Sequence, residues 1–183
     1  LSPDDDEEQQ QQNRYIQMGS ILHEVFSTIR TTADIDSALR RMELEGIIYD
    51  EELTRSHIAS MIRKRLENPR VADWFSPRWT LFNECTILSV EPVAPNVAEG
   101  EPASSVKSAA KTRVVERRPD RVMTDGEHTV VVDFKFGRPN NDYHDQVRKY
   151  MQLLSRMGHR QVEGYLWYVY SNKIEPVKPE NYS

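Results

Sequence analysis

Cysteine is almost absent from this 183-residue sequence, which contains only Cys85. One thiol cannot build an internal disulfide framework, a four-cysteine zinc site or a four-cysteine iron–sulfur cluster, so these classes are excluded. Because disulfide frameworks are typical of secreted domains, we expect an intracellular, cytoplasmic protein without an iron–sulfur cluster.

Long apolar runs and targeting features are absent too. The densest apolar stretch, Leu166 to Tyr170, is far shorter than the roughly 18 residues of a membrane span, so we expect no membrane partner. The start, LSPDDDEEQQQQ, has no signal-peptide pattern, no initiator methionine and no apolar periodicity. We therefore expect residues 1–13 to be a disordered acidic and glutamine-rich linker in a longer polypeptide.

The acidic leader, residues Asp4 to Glu8, carries as much negative charge as the whole chain has in excess. The net charge is −5, and the five consecutive acids from Asp4 to Glu8 account for all of it. The remainder is neutral overall, so the acidic composition does not argue against a nucleic-acid partner.

The spacing of apolar residues changes near residue 76. Before that point, intervals of three and four residues predict helices, whereas later segments rich in β-branched and aromatic residues predict strands. The predicted helices cover about residues 15–29, 35–44, 51–67 and 143–157, and the predicted strands cover 78–90, 112–123, 128–136 and 162–170. Helices followed by a β-β-β-α-β order predict an α/β or α+β fold.

This order also predicts the organisation of the domain. We expect one domain at residues 14–174, with a helical part at 14–76 and a sheet part at 77–174. An unstructured tail is expected at 175–183. The proline- and alanine-rich segment at 92–111 predicts a long loop.

The first candidate for chemistry is the end of the predicted strand at 128–136. Asp133 and Lys135 are two residues apart and therefore project from one face of the strand. A carboxylate beside an ammonium can hold a divalent cation and orient a water molecule. The alternative is a simple ion pair at a sheet edge.

Asp120 is the second candidate. It lies before the Asp125-Gly126 turn at about the distance at which Asp133 follows it, so a hairpin would bring the two acids together. Two converging carboxylates suit Mg²⁺, which prefers oxygen ligands. The alternative is an exposed acid neutralised by Arg117, Arg118 and Arg121.

The helix predicted at 143–157 supplies a third candidate. Gln146 and Tyr150 are four residues apart and share one helix face. Taken alone, this pair is equally compatible with a surface glutamine beside a half-buried tyrosine.

The order of these motifs resembles the PD-(D/E)xK nuclease superfamily. More narrowly, the chain is similar to the RecB-type nuclease domain found at the C-terminus of UvrD/RecB/AddA helicase–nucleases. Gly19 and His23 resemble the G-x-x-x-H helix of that family, and Glu84 lies where such domains carry an acid. The resemblance spans roughly residues 15–172 and implies a restriction-endonuclease-like core, with a central mixed sheet flanked by helices.

The resemblance also implies roles for individual residues. Asp120 and Asp133 would be catalytic, metal-binding carboxylates, with His23 and the Phe134 carbonyl as further ligands. His23 could instead be a satisfied core residue. Lys135 would position or activate the attacking water.

Other implied roles lie around this set. Gln146 and Tyr150 would line the DNA side of the site. Glu84 would touch metal or water, or support Lys135. Residues 106–160 contain 12 basic and 7 acidic residues. The predicted DNA contacts from this basic region are Arg118, Arg121 and Arg138.

The resemblance implies a Mg²⁺- or Mn²⁺-dependent deoxyribonuclease. It would be the C-terminal exonuclease module of an ATP-dependent helicase–nuclease in DNA recombination or repair, associated with the nucleoid and acting on single-stranded DNA. No G-x-x-x-x-G-K-[ST] motif is present, so a helicase would lie elsewhere in the polypeptide or complex. The alternatives are an inactive DNA-binding or scaffold module and a stand-alone restriction-type endonuclease.

Overall fold

The computed structural model describes residues 3–82, 86–93 and 111–180. The chain divides into two compact units: the larger comprises Leu1–Asn83 and Pro119–Ser183, and the smaller is Glu84–Arg118. In the part of the chain that is described, no helix combines the length and apolar character that crossing a lipid bilayer requires.

Helices dominate the first part of the larger unit. They are α1 (Pro3–Thr28), α2 (Ile35–Leu44), α3 (Arg55–Arg65) and α4 (Pro69–Trp74). Side-chain caps begin the last two: Thr54 accepts a hydrogen bond from the His57 N–H, and Asn68 accepts one from the Arg70 N–H. These caps satisfy N–H groups that have no partner within the helix.

The prediction of a disordered linker at 1–13 is wrong for the residues described, because α1 begins at Pro3. Asp4, Asp5 and Asp6 lie in its first turn, where negative charge is favoured by the helix dipole, and the Glu and Gln residues that follow are good helix formers. Residues 3–13 are all exposed. The segment therefore has helical backbone without an apolar stripe, so apolar periodicity could not reveal it.

The described strands form two sheets. Their bounds are β1 (Thr80–Leu81), β2 (Ile87–Pro92), β3 (Thr112–Arg117), β4 (Arg121–Thr124), β5 (Thr129–Lys135), β6 (Val162–Tyr168) and β7 (Lys173–Val177). The larger unit has a five-stranded sheet in the order β1-β4-β5-β6-β7. Only the β5–β6 pair is parallel, and α5 (Asp142–Arg156) makes the crossover between those two strands. The predicted α/β class with a mixed sheet flanked by helices is confirmed.

Helices cover both faces of this sheet. On one face, α1 to α4 pack against alternate residues of the central strands, including Val132, Phe134 and Trp167. On the other face, Val147 and Met151 of α5 pack against Leu166. The central strands are therefore buried on both sides, as parallel pairs usually are.

The smaller unit contains the antiparallel pair β2 and β3. Ile87 lies opposite Arg117, and Pro92 lies opposite Thr112. Arg117 donates to Glu91 at 2.7 Å, and Arg118 donates to Thr86 at 3.2 Å. Most of the predicted loop at 92–111 lies outside the described residues.

Three further expectations differ from the structure. The single strand predicted at 78–90 corresponds to β1 and β2, which belong to different sheets. The predicted strand at 112–123 is split between β3 and β4, because Pro119 lacks the N–H that a continuous ladder needs. The prediction of an unstructured tail at 175–183 is wrong for residues 175–177, because β7 runs to Val177. Pro176 is compatible with this strand, since β7 is at the edge of its sheet and proline is tolerated there.

Candidate active site

The carboxyl end of β5 carries Asp133 and Lys135. Lys135 Nζ lies 2.9 Å from Asp133 Oδ2, and the Asp133 residue is only 4% exposed. Phe134, between them, projects into the core on the α1 side of the sheet. A carboxyl group and a cation are thus fixed on a strand that is paired with neighbours on both sides.

Asp120 immediately precedes β4 and is brought to Asp133 by the strand register. Arg121 lies opposite Val132, so Asp120 lies beside the next residues of β5. Its Oδ2 accepts a hydrogen bond from the Phe134 N–H at 2.7 Å, which holds the Asp120 carboxyl group beside the residue that follows Asp133. The structure therefore brings the two acids together.

Helix α1 adds His23 to this pair. Its Nε2 lies 2.6 Å from Asp120 Oδ1, and its side chain is 45% exposed. A histidine buried only for packing would be more enclosed, so the alternative of a satisfied core residue does not describe His23.

Gly19 serves the packing of α1 rather than the chemistry. A Cβ at this position would lie 3.1 Å from Tyr170 Oη. That hydroxyl donates to the Tyr15 carbonyl at 2.7 Å, and the Tyr15 hydroxyl donates to the Phe136 carbonyl at 3.0 Å. The absence of a side chain at Gly19 therefore allows α1 to approach the ends of β5 and β6.

Burial and hydrogen bonding separate the pKa values of the two carboxyl groups. Burial raises the pKa of Asp133 to about 7, and the hydrogen bond and charge of Asp120 add to this effect. Burial alone would also raise the pKa of Asp120, but hydrogen bonds from His23, Asp133 and Phe134 hold it below its usual range. The hydrogen bond to Asp120 raises the pKa of His23. Of the two carboxyl groups, Asp133 therefore has the higher pKa.

Lys135 is held from several sides. Besides Asp133, its ammonium group donates to Gln146 Oε1 at 3.4 Å and lies 4.2 Å from the centre of the Tyr143 ring. An aromatic face attracts a cation at this distance. Tyr143 therefore belongs to the site, although the sequence suggested it only as a residue near the start of a helix. A tyrosine three residues before Gln146 is the signal that could have identified it.

Gln146 and Tyr150 share a face of α5, as their spacing predicts. Gln146 Nε2 donates to Tyr150 Oη at 3.3 Å. Tyr150 is 2% exposed, so its ring packs inside the protein and does not offer a surface to DNA. The prediction that Tyr150 lines the DNA side is corrected: it supports Gln146, which is the more exposed of the two.

The predicted DNA contacts fall into different environments. Arg138 and Arg118 are exposed, and Arg118 belongs to the smaller unit. Arg121 is 2% exposed, and its guanidinium group donates to main-chain carbonyls, so the prediction that it contacts DNA is wrong. Glu84 lies outside the described residues, and its role stays a prediction.

The side chains at Asp120 are of the types that bind a hard divalent cation. One imidazole nitrogen and two carboxyl groups converge, and such oxygen-rich sets bind Mg²⁺ or Mn²⁺. The described residues contain no group of three or more His, Cys, Asp or Glu side chains that could hold a metal ion in their present positions. His23 and Asp120 are instead hydrogen-bonded to each other at 2.6 Å.

Residues 1–182 match the family model described as the PD-(D/E)XK nuclease superfamily. No curated protein matches the chain.

Proposed function

The chain belongs to the PD-(D/E)XK nuclease superfamily, and we propose that it is a divalent-cation-dependent deoxyribonuclease with Asp120, Asp133 and Lys135 at its active site. Membership itself implies nuclease activity and DNA binding, and nucleases of this superfamily generally use divalent metals. The convergence of the His23–Asp120 and Asp133–Lys135 pairs, linked by the hydrogen bond from the Phe134 N–H to Asp120, is the observation that supports the residue assignment.

Each of these residues has a task that follows from its position. His23 and the two carboxyl groups would hold Mg²⁺ or Mn²⁺, together with the carbonyl of Phe134. The cation would act as a Lewis acid and activate a water molecule. Lys135, fixed by Gln146 and Tyr143, would orient the attacking water and stabilise the negative charge that develops on the phosphate.

The finer proposal concerns biological context. The contact of His23 with Asp120 supports the RecB-type assignment, because the G-x-x-x-H helix is the feature that distinguishes this resemblance. We therefore propose an exonuclease module that acts on single-stranded DNA beside a helicase, in recombination or repair. The cytoplasmic, nucleoid-associated location stays a prediction.

Cleavage of labelled DNA tests the proposal directly. Linear and circular single-stranded DNA and duplex DNA are incubated with Mg²⁺, Mn²⁺ or a chelator. We expect wild-type protein to cleave only with metal, and Asp120→Asn, Asp133→Asn and Lys135→Ala each to lose about 10²- to 10³-fold in kcat. Resistance of the circular substrate would support the exonuclease mode.

Matched variants control for charge and stability. Asp36→Asn and Lys64→Ala change exposed residues of α2 and α3 and should retain wild-type cleavage. Equal activity in all variants would contradict the site assignment. Metal-independent DNA binding without any cleavage by the wild type would favour a non-catalytic binding module.

A further inference from the structure

One buried arginine lies beside the proposed active site without a carboxylate partner among the described residues. Arg121, the first residue of β4, is 2% exposed. Its Nη1 donates to the Ile29 carbonyl at 2.6 Å and to that of Phe26 at 3.4 Å. Its Nη2 donates to the carbonyls of Arg30 and Trp74 at 3.0 and 2.9 Å.

These acceptors belong to the ends of two helices. Phe26 is in the last turn of α1, Ile29 and Arg30 follow that helix, and Trp74 is the last residue of α4. Carbonyls at helix C-termini lack partners within the helix and favour a nearby cation. Neither helix has a basic residue in its own last turn. One guanidinium group therefore caps both helices from a strand.

The planar shape of guanidinium makes this contact directional. Its donors form a fixed fork, and its central carbon lies 4.2 Å from the centre of the Phe75 ring. Because the carbonyl acceptors must lie along these fixed donor directions, the hydrogen bonds of Arg121 fix both the rotation and the position of α1 relative to β4. A point charge on a flexible stem, such as lysine, would hold the helix end much less firmly.

Helix α1 and the residue just before β4 supply two of the proposed metal ligands, His23 and Asp120. His23 lies three residues before Phe26 on α1, and Asp120 directly precedes Arg121. His23 Nε2 and Asp120 Oδ1 are 2.6 Å apart, so a shift of one helical residue, about 1.5 Å along the axis, would break their contact. We propose that Arg121 is a positioning residue that holds His23 against Asp120 by capping α1 and α4 from β4.

The cost of burying Arg121 supports a geometric role. Its Nε is buried and has no hydrogen-bond partner, and no acid neutralises the charge among the described residues. Apolar residues of similar volume often replace buried charges without loss of stability. A directional anchor is the property that an apolar side chain at this position would lack.

The chain contains a matched control. Arg65 is also buried, at 8% exposure, and its acceptors among the described residues are the carbonyls of Val169, Met61 and Tyr170. None of these acceptors belongs to α1 or β4. Substitutions of Arg65 therefore report the general cost of losing a buried guanidinium group.

The experiment compares Arg121→Lys and Arg121→Met with Arg65→Lys and Arg65→Met in the full chain. The ring signals of His23 are recorded by NMR at one pH without metal, and Mn²⁺ affinity, kcat and KM are measured on single-stranded DNA. For Arg121→Lys we expect displaced His23 signals and a loss of about 10- to 100-fold in Mn²⁺ affinity or kcat, with little change in KM. Arg65→Lys should leave all of these unchanged.

The outcomes separate this proposal from the proposed function on which its kinetic part rests. Unchanged His23 signals in a folded Arg121→Lys protein would overturn the positioning role, and so would equal effects of the Arg121 and Arg65 variants. If the wild type shows no metal binding or cleavage, the proposed function fails, whereas the His23 signals still decide the role of Arg121. If Arg121→Met does not fold, the two lysine variants carry the comparison.

Discussion

At the scale of single residues, the partners of a buried charge determine what it does. Asp133 of β5 and Arg121 of β4 are both almost completely buried, and their two strands are paired with each other. Asp133 lies beside two ionisable groups that alter its pKa, namely Asp120 and Lys135. Arg121 is surrounded by main-chain carbonyls, which only accept hydrogen bonds. The first arrangement suits chemistry and the second suits positioning.

The pKa of Asp133 has a consequence for stability. The pKa of Asp133 is about 7 in the folded protein, whereas in the unfolded chain it returns to its ordinary value of 3.8. The stability that this group contributes is therefore fully present below about pH 4 and is lost as the pH rises through about 7. Each unit of pKa difference corresponds to about 1.4 kcal/mol.

Urea unfolding of the metal-free protein between pH 4 and pH 8 measures this contribution. We expect the free energy of unfolding to fall over this range in the wild type, and the fall to be smaller in Asp133→Asn. Asp36→Asn, which changes an exposed carboxylate of α2 in the same way, is the matched control. Parallel curves for Asp133→Asn and the wild type would contradict the raised pKa.

Sequence reasoning at this scale succeeded for residues in short motifs and failed for residues defined by burial. The hairpin argument brought Asp120 to Asp133 because strand register follows from local turn chemistry. The burial of Arg121 depends on carbonyls of residues 26–30 and 74, which are far away in the sequence. An arginine in a basic stretch gives no local signal that it will be enclosed.

At the scale of elements, predictability followed the strength of apolar patterning. Helix α5 was predicted at 143–157 and lies at Asp142–Arg156, because its apolar face repeats regularly and packs on the sheet. The start of α1 and the strand β7 were missed. One has no apolar face, and the other is a short edge strand containing Pro176, whose pairing depends on β6.

Helix α5 packs on β6 through Gly164, which gives a prediction for this contact. A Cβ on Gly164 would lie 2.8 Å from Val147 Cγ1 and closer still to Met151 Sδ. We expect Gly164→Ala to push α5 from the sheet, to destabilise the protein by about 1–3 kcal/mol and to lower kcat, because α5 carries Gln146.

The matched control is Gly137→Ala, where an added Cβ meets nothing within 4 Å. Thermal unfolding and DNA cleavage of both variants make the comparison. A loss of stability in Gly164→Ala no larger than that in Gly137→Ala would show that the helix and the strand are not in close contact.

At the scale of the whole molecule, charge is distributed unevenly along the chain. The five acids of Asp4 to Glu8 lie on the exposed first turns of α1 and account for the net charge of −5. Residues 106–160, which contain Asp120, Asp133 and Lys135, are basic overall. The acidic first turns of α1 would therefore repel the proposed DNA substrate, whereas the basic residues of 106–160 would attract it.

Neutralising the acidic leader should strengthen DNA binding. In the variant D4N/D5N/D6N/E7Q/E8Q, we expect affinity for single-stranded DNA to rise a few-fold at low salt. The difference should vanish near 1 M salt, where the screening length is about 3 Å. Binding is measured by fluorescence anisotropy in the presence of a metal chelator, which prevents cleavage. A variant in which Gln9 to Gln12 are changed to alanine controls for the effect of changing the sequence of this helix without changing its charge. A difference that persists at high salt would rule out an electrostatic origin.

The capping of α1 and α4 by Arg121 has a consequence for how the protein is made. Both helices precede residue 121 in the chain, so the Arg121 guanidinium group cannot cap their C-terminal carbonyls until that residue has been synthesised. The core that joins these helices to Val132, Phe134 and Trp167 is completed later still. The newly synthesised first half therefore depends on the second for its native ends, and the larger unit matures only once most of its chain has emerged.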